Sequence, residues 1–66
     1  MSGTENPYQE GSALWGAWAR GFVLGRDGVS RGANPYSVRA RSFWRAWDLG
    51  CSAGLAAFRA AKGAQL

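Results

Sequence analysis

The sequence predicts an all-α fold, a two-helix hairpin made from two copies of one unit. Two observations predict it. The tripeptide Asn-Pro-Tyr occurs at residues 6–8 and again at 34–36. Each copy precedes a stretch in which tryptophan, glycine and alanine recur at helical spacing. The chain has 66 residues, so we expect one small domain that spans residues 1–66.

The two copies match well beyond the tripeptide. The tripeptides are 28 residues apart and the residues that follow are 29 apart, so one extra residue lies between Tyr36 and Trp44. The matching residues are Trp15, Ala17, Trp18, Gly21 and Gly25 in the first copy and Trp44, Ala46, Trp47, Gly50 and Gly54 in the second. We therefore interpret the pattern as a repeat with two equivalent helices.

The first helix is predicted at about residues 12–27. Ser12 can cap its start, because a serine oxygen accepts a hydrogen bond from a free N–H group of the first turn. Gly28 can end it, since glycine adopts the left-handed conformation that terminates many helices. At about 100° per residue, the apolar and small residues share one half of this helix, and Arg20 lies outside that half.

A loop at 28–34 and a second helix at about 37–62 are predicted to follow. The loop is rich in glycine and serine, which favour turns. Asparagine followed by proline suits the cap and first position of a helix, so Pro35 is an alternative start for the second helix. Gly63 is predicted to end it.

The repeated glycines predict how the helices pack. Glycine inside a helix costs about 1 kcal/mol relative to alanine, but glycines spaced four apart let two backbones approach closely. We predict that the helices meet along these rows, and that the tryptophans and the two tyrosines pack in the core and are not platforms for bases. The predicted structural residues are Pro7, Tyr8, Trp15, Trp18, Gly21, Gly25, Pro35, Tyr36, Trp44, Trp47, Gly50 and Gly54.

The charge distribution indicates a polyanionic partner. The net charge is +4, and residues 26–45 hold five arginines but only one acidic residue, Asp27. A basic segment of this kind is typical of nucleic-acid binding; the alternative is a solvated surface that keeps the protein soluble. The predicted RNA-binding residues are Arg20, Arg26, Arg31, Arg39, Arg41 and Arg45.

The chain lacks the residues that several classes of function need. The chain has no histidine, four scattered acidic residues and a single cysteine, Cys51. We therefore expect neither catalysis nor a metal, a cofactor or an internal disulfide, and we expect Cys51 to be a core residue. With no apolar run near the ~20 residues of a membrane span and no secretory signal, the protein is expected in the cytoplasm. Because so small a chain has so many aromatic residues, a homodimer is an open alternative.

Three motifs together carry a resemblance to a known family: Arg20–Gly28 (RGFVLGRDG), Asn34–Tyr36 (NPY) and Arg41–Trp47 (RSFWRAW). With these motifs the chain resembles the bacterial ribosome modulation factor family. The chain departs from the family in three respects: its N-terminus lacks a strongly basic tail, Asn34 occupies a position where cysteine is common, and the second helix continues further.

The resemblance implies a two-helix protein that binds ribosomal RNA of the small ribosomal subunit and regulates translation by keeping ribosomes inactive. The residues that match the family pattern are Arg20, Gly21, Gly25, Gly28, Pro35, Tyr36, Arg41, Trp44 and Trp47. The alternative is a helical protein-interaction module, such as a phage or stress inhibitor. Such a protein would bind a host protein through its long second helix or its Gly/Trp face.

Overall fold

The computed structural model describes residues 5–64. It contains helix α1 at Ala13–Arg26, a short 3-10 helix at Arg31–Ala33 and helix α2 at Arg41–Ala64. No strand occurs in this part of the chain. The predicted all-α class and its two main helices are therefore confirmed.

Helix α1 starts at the predicted serine cap. Ser12 has an extended backbone (φ −75°, ψ 163°), and its Oγ accepts a hydrogen bond from the Trp15 N–H at 3.1 Å. The preceding turn is closed by the Ser12 N–H, which donates to the Gln9 carbonyl at 3.0 Å. Ser12 therefore hydrogen-bonds to the backbone both before and after the start of the helix.

Helix α1 ends at the predicted glycine. Gly28 has a φ of +91°, and its N–H donates to the Gly25 carbonyl at 2.8 Å. The N–H of Val29 donates to the Leu24 carbonyl at 3.0 Å. These two bonds form a Schellman motif, which needs a residue in the left-handed region and therefore favours glycine.

Helix α2 begins at Arg41, later than the predicted start near residue 37. Residues 37–40 form a turn instead. The Ala40 N–H donates to the Ser37 carbonyl at 2.9 Å, and the Arg39 N–H donates to Ser37 Oγ at 3.0 Å. A serine side chain that accepts a hydrogen bond from a neighbouring backbone N–H offers the chain an alternative to the helix, and here the chain forms that turn.

The predicted end of α2 at Gly63 is also wrong. The helix continues through Gly63 to Ala64. Among the described glycines only Gly11 and Gly28 have a positive φ. Gly63 therefore lacks the left-handed conformation by which a glycine ends a helix.

The asparagine of each Asn-Pro-Tyr segment clamps the segment to the helix that follows. Asn34 Nδ2 donates to the Trp44 carbonyl at 2.9 Å, while its Oδ1 accepts the Tyr36 N–H at 2.9 Å. Asn6 makes the equivalent two bonds in the first unit, at 3.0 and 3.1 Å. Pro35 therefore does not start a helix, because its asparagine neighbour bonds to the helix from outside.

Replacing Asn34 with aspartate tests this clamp. The carboxylate keeps the oxygen that accepts the Tyr36 N–H. It has no donor for the Trp44 carbonyl, so a carboxylate oxygen would face that carbonyl oxygen. We expect Asn34→Asp to lower the free energy of unfolding by about 1 kcal/mol at neutral pH, the net value of one hydrogen bond. Urea unfolding measures the change, and Gln9→Glu, the same change of amide to carboxylate at an exposed position, serves as the control. A loss no larger than that of the control would contradict the assignment.

The two helices pack along the predicted glycine rows. Gly21 faces the backbone of Trp47, and Gly50 faces the backbone of Trp18. A Cβ at either glycine would overlap the opposing carbonyl oxygen. Because backbone atoms cannot rotate away as a side chain can, these positions need glycine. Contact this close brings Cα–H groups against carbonyls, a weak hydrogen bond that recurs between helices.

The contacts advance in the same direction along both helices. Gly21 meets Trp47, and one turn later Gly25 meets Cys51. The helices of the predicted hairpin therefore lie side by side but run parallel, which a tight turn between them could not achieve. A longer return connection joins them.

The return connection runs back along α2. The Cys51 thiol donates to the Val29 carbonyl at 3.4 Å, Arg31 bonds to Asp48 at 3.0 Å, and Asn34 reaches the Trp44 carbonyl. The return connection thus runs antiparallel to α2. Since Trp18–Gly50 and Trp47–Gly21 are the same contact with the units exchanged, an approximate twofold axis relates the units.

The core lies between the helices at this twofold axis. The buried hydrophobic residues are Ala17, Trp18, Ala46, Trp47 and Cys51. Tyr8 and Tyr36 pack against this core, as predicted. Trp18 stacks on Phe22 with 5.3 Å between ring centroids. Trp15 and Trp44 differ from the expectation for the tryptophans, because both remain only half-buried.

Candidate nucleic-acid interface

The outward faces of the two helices differ in chemistry although the helices are equivalent. At three positions α1 has a small or apolar residue, and the residue 29 positions later in α2 is charged or polar. The three pairs are Gly16 and Arg45, Ala19 and Asp48, and Val23 and Ser52. The reverse holds at Arg20 and Arg26, which correspond to Leu49 and Leu55, so both helices carry arginines but at different positions.

Three of the six predicted arginines, Arg39, Arg41 and Arg45, lie at the start of α2. Arg41 and Arg45 are exposed and line one open cleft, together with Trp44 and Val38. Arg39 is exposed in the turn directly before the helix. We call Val38, Arg41, Trp44 and Arg45 the α2 cleft.

Within residues 5–64, no carboxylate forms an ion pair with Arg41 or Arg45. Among residues 5–64 the one ion pair joins Arg31 to Asp48. Arg41 also occupies the first position of α2, whose first turn holds no acidic residue. The positive end of a helix macrodipole disfavours a cation there by about 0.3–1 kcal/mol. The α2 cleft therefore combines two arginines with the positive end of a helix, an arrangement that suits an anion.

Arg31 differs from the other predicted RNA-binding residues. Its Nε lies 3.0 Å from Asp48 Oδ1, and the two side chains are 58% and 17% exposed. An exposed ion pair of this kind contributes at most about 1 kcal/mol to stability. It does, however, compensate much of the charge that Arg31 would offer to a phosphate. The structure thus places Arg31 beside the basic surface with its charge already paired.

The remaining two predicted RNA-binding residues lie on α1. The Arg26 guanidinium lies over the Phe22 ring, 5.8 Å from its centroid. Arg20 borders an apolar surface groove formed with Ala19, Val23 and Leu24. Neither side chain lines the α2 cleft, so the structure brings together only part of the predicted set.

Sequence reasoning missed Trp44 as a site residue. The equivalent Trp15 has Ser12 and Gly16 at the positions that Arg41 and Arg45 occupy around Trp44. The two units therefore differ in charge around the same half-buried ring. Comparing the repeats position by position, and asking where a small residue becomes an arginine, is the signal that identifies Trp44.

Cys51 is a core residue, as predicted. It is fully buried. Burial raises the pKa of the Cys51 thiol above its ordinary value; Asp48 adds to the rise, and Arg31 opposes it. The thiol is therefore held protonated, which suits a structural residue and not a nucleophile.

The raised pKa predicts how stability changes in alkali. The folded state binds the thiol proton more tightly than the unfolded state does. The resulting stability is complete below the unfolded pKa of about 8.5 and is lost as the pH rises through the folded pKa. We expect the free energy of unfolding of the natural protein to fall more steeply above about pH 8.5 than that of Cys51→Ala. Urea unfolding over a pH series measures this, and parallel profiles would contradict it.

Two further properties bear on the chemistry of the surface. No group of three or more His, Cys, Asp or Glu side chains within residues 5–64 could hold a metal ion. In the same part of the chain, neither α1 nor α2 has the length and apolar content to cross a membrane.

Comparisons with known proteins leave the origin of the chain open. No family model, no curated protein and no solved structure matches it. The resemblance to ribosome modulation factor therefore stays a prediction, carried by the motifs in Arg20–Gly28, Asn34–Tyr36 and Arg41–Trp47.

Proposed function

We propose that the protein is a non-catalytic, cytoplasmic RNA-binding regulator of translation that binds ribosomal RNA of the small subunit through the start of α2. The observation that carries the proposal is the pair of uncompensated arginines, Arg41 and Arg45, around the half-buried Trp44. Arginines bind phosphate with bidentate geometry, and phosphate contacts supply much of the affinity of proteins for nucleic acid.

The resemblance supports the ribosome as the source of the RNA. The matching residues fall into two groups in the fold. Gly21, Gly25 and Trp47 hold the helices together, whereas Arg41 and Trp44 line the α2 cleft. The residues that match the family pattern therefore include both residues that hold the helices together and residues of the α2 cleft. The other predicted arginines, Arg20 and Arg26, would contact RNA only if it extended onto α1.

Co-migration with ribosomes tests the proposed function. Purified protein is mixed with ribosomes and separated on a sucrose gradient at low and at high salt. We expect the protein to migrate with the small subunit at low salt and to dissociate at high salt, because phosphate contacts release counterions. A protein that stays at the top of the gradient at low salt would contradict the proposal.

The outward face of α1 supports a second candidate function, binding of another protein. Val23 and Leu24 are 45% and 38% exposed, and with Ala19 and Arg20 they line an apolar groove. The predicted Gly/Trp face is not the surface for this, since α1 and α2 bury it against each other. The test is self-association of the chain in sedimentation experiments at rising concentration. A dimer that is lost in Val23→Asp would favour this candidate, and a monomer at every concentration would count against self-association.

A further inference from the structure

The α2 cleft holds an aromatic ring that the scaffold does not need to expose. Trp47, one turn further along α2, is only 1% exposed, whereas Trp44 is half-buried and lines the cleft. Asn34 bonds to the Trp44 carbonyl, so the return connection fixes the backbone that carries the ring. A ring held in place beside open space is suited to stacking, because little ordering is lost when a partner binds.

Both arginines line the same cleft as this ring. Arg41 precedes Trp44 by three positions, and Arg45 follows Arg41 by four, so the Cβ atoms of these neighbours lie about 5–6 Å apart. Val38, 69% exposed, adds an apolar wall. One site thus offers an aromatic surface, an apolar wall and two cations that no carboxylate within residues 5–64 pairs.

From this combination we infer that the α2 cleft binds an unpaired nucleotide, with its base stacked on Trp44 and its phosphates on Arg41 and Arg45. This inference rests on the proposed function and narrows its ligand to single-stranded RNA. Bases in a duplex are stacked on each other and present no face to a ring, whereas unpaired bases stack on aromatic side chains. A helix of an acidic protein would use the arginines but would not require the ring, and it is an outcome of the test below.

The experiment compares three labelled probes by fluorescence anisotropy: a short single-stranded RNA, the duplex of the same sequence and an abasic strand of the same length. We expect the natural protein to bind the single strand roughly 5- to 150-fold more tightly than the abasic strand, the effect of one lost stack. This comparison needs no variant, so it does not depend on whether a substitution folds.

Variants then assign the effect to the ring. Trp44→Leu is expected to lose the preference for the single strand over the abasic strand and to leave duplex affinity within about twofold, while Trp44→Phe keeps most of the preference. Trp15→Leu is the matched control, because Trp15 is the equivalent half-buried ring without arginines around it. Trp15→Leu is expected to leave both the affinity for duplex RNA and the preference for the single strand unchanged.

The outcomes separate this inference from the proposed function. Equal affinity for the single strand and the abasic strand would overturn the base site while leaving RNA binding in place. Equal effects of Trp44→Leu and Trp15→Leu would also overturn it. Absence of binding to all three probes would overturn both proposals, and binding of an acidic helical peptide in their place would favour a protein partner.

Discussion

Gly50→Ala is expected to lower the free energy of unfolding by about 3 kcal/mol or more. The new Cβ would overlap the Trp18 carbonyl and crowd the Trp18 Cα, which lies 3.0 Å from it. Both are backbone atoms of α1, so relief requires the helices to separate, and the buried tryptophans would lose packing on either side. A domain of this size has a total stability of only about 3–10 kcal/mol, so the variant is expected to be largely unfolded at moderate temperature.

The matched control for Gly50→Ala is Gly16→Ala. Gly16 is also inside a helix, but a Cβ there meets nothing within 4 Å. The same substitution should therefore stabilise the protein by up to about 1 kcal/mol through helix propensity alone. Thermal and urea unfolding followed by circular dichroism measure both changes. Similar effects at the two positions would contradict the close approach of the helices.

The largest expected effect on binding comes from reversing the charges at the start of α2. Arg39→Glu/Arg41→Glu/Arg45→Glu should reduce affinity for single-stranded RNA by about a hundredfold or more, since each charge-assisted phosphate contact is worth about 1.5–3 kcal/mol. Acidic residues suit the first turn of a helix. The triple change is therefore not expected to destabilise the fold, and a loss of binding reports on the interface itself.

The control for this experiment reverses three charges elsewhere. Arg20→Glu/Arg26→Glu/Arg59→Glu changes the net charge by the same amount, and all three positions are exposed. We expect a loss of less than about tenfold, the share due to long-range attraction. Equal losses in the two triple variants would show that net charge, and not the α2 cleft, determines binding.

The fold was largely predictable because the repeat carries it. Tryptophan and glycine at a constant offset predicted two equivalent helices and the rows on which they meet, and the glycine contacts bear this out. The direction of the pairing was not predictable from those rows, since a row of small residues fits a parallel or an antiparallel neighbour. The direction depends on the return connection, which is held by contacts such as Cys51 to Val29 that are distant in sequence.

The contacts of Asn34 explain why α2 does not begin at Pro35. Asparagine before proline is compatible both with a helix cap and with a side chain that bonds to other backbone groups. In this protein the second use prevails, because the Trp44 carbonyl lies within reach of the Asn34 amide. Asn34 and Trp44 are ten positions apart, so this contact depends on the path of the return connection.

The candidate site was predictable in its charges but not in its ring. Arginine density indicated the start of α2 correctly as a basic surface, while the pairing of Arg31 with Asp48 spans 17 positions and follows from the path of the return connection. The helical pattern places Trp15 and Trp44 with the other tryptophans on the apolar half of each helix and so predicts that all of them are buried. The exposure of both rings depends on how far each extended segment covers its helix, which a repeat pattern does not encode.

The salt dependence of RNA binding tests the central claim most directly. For the natural protein, the logarithm of the association constant for single-stranded RNA should fall with the logarithm of salt concentration, by about 0.7 for each phosphate contacted. Neutralising two contacts in Arg41→Gln/Arg45→Gln should reduce the magnitude of that slope by about 1.4. A slope that the two substitutions leave unchanged would contradict the claim that the arginines of the α2 cleft bind the RNA backbone.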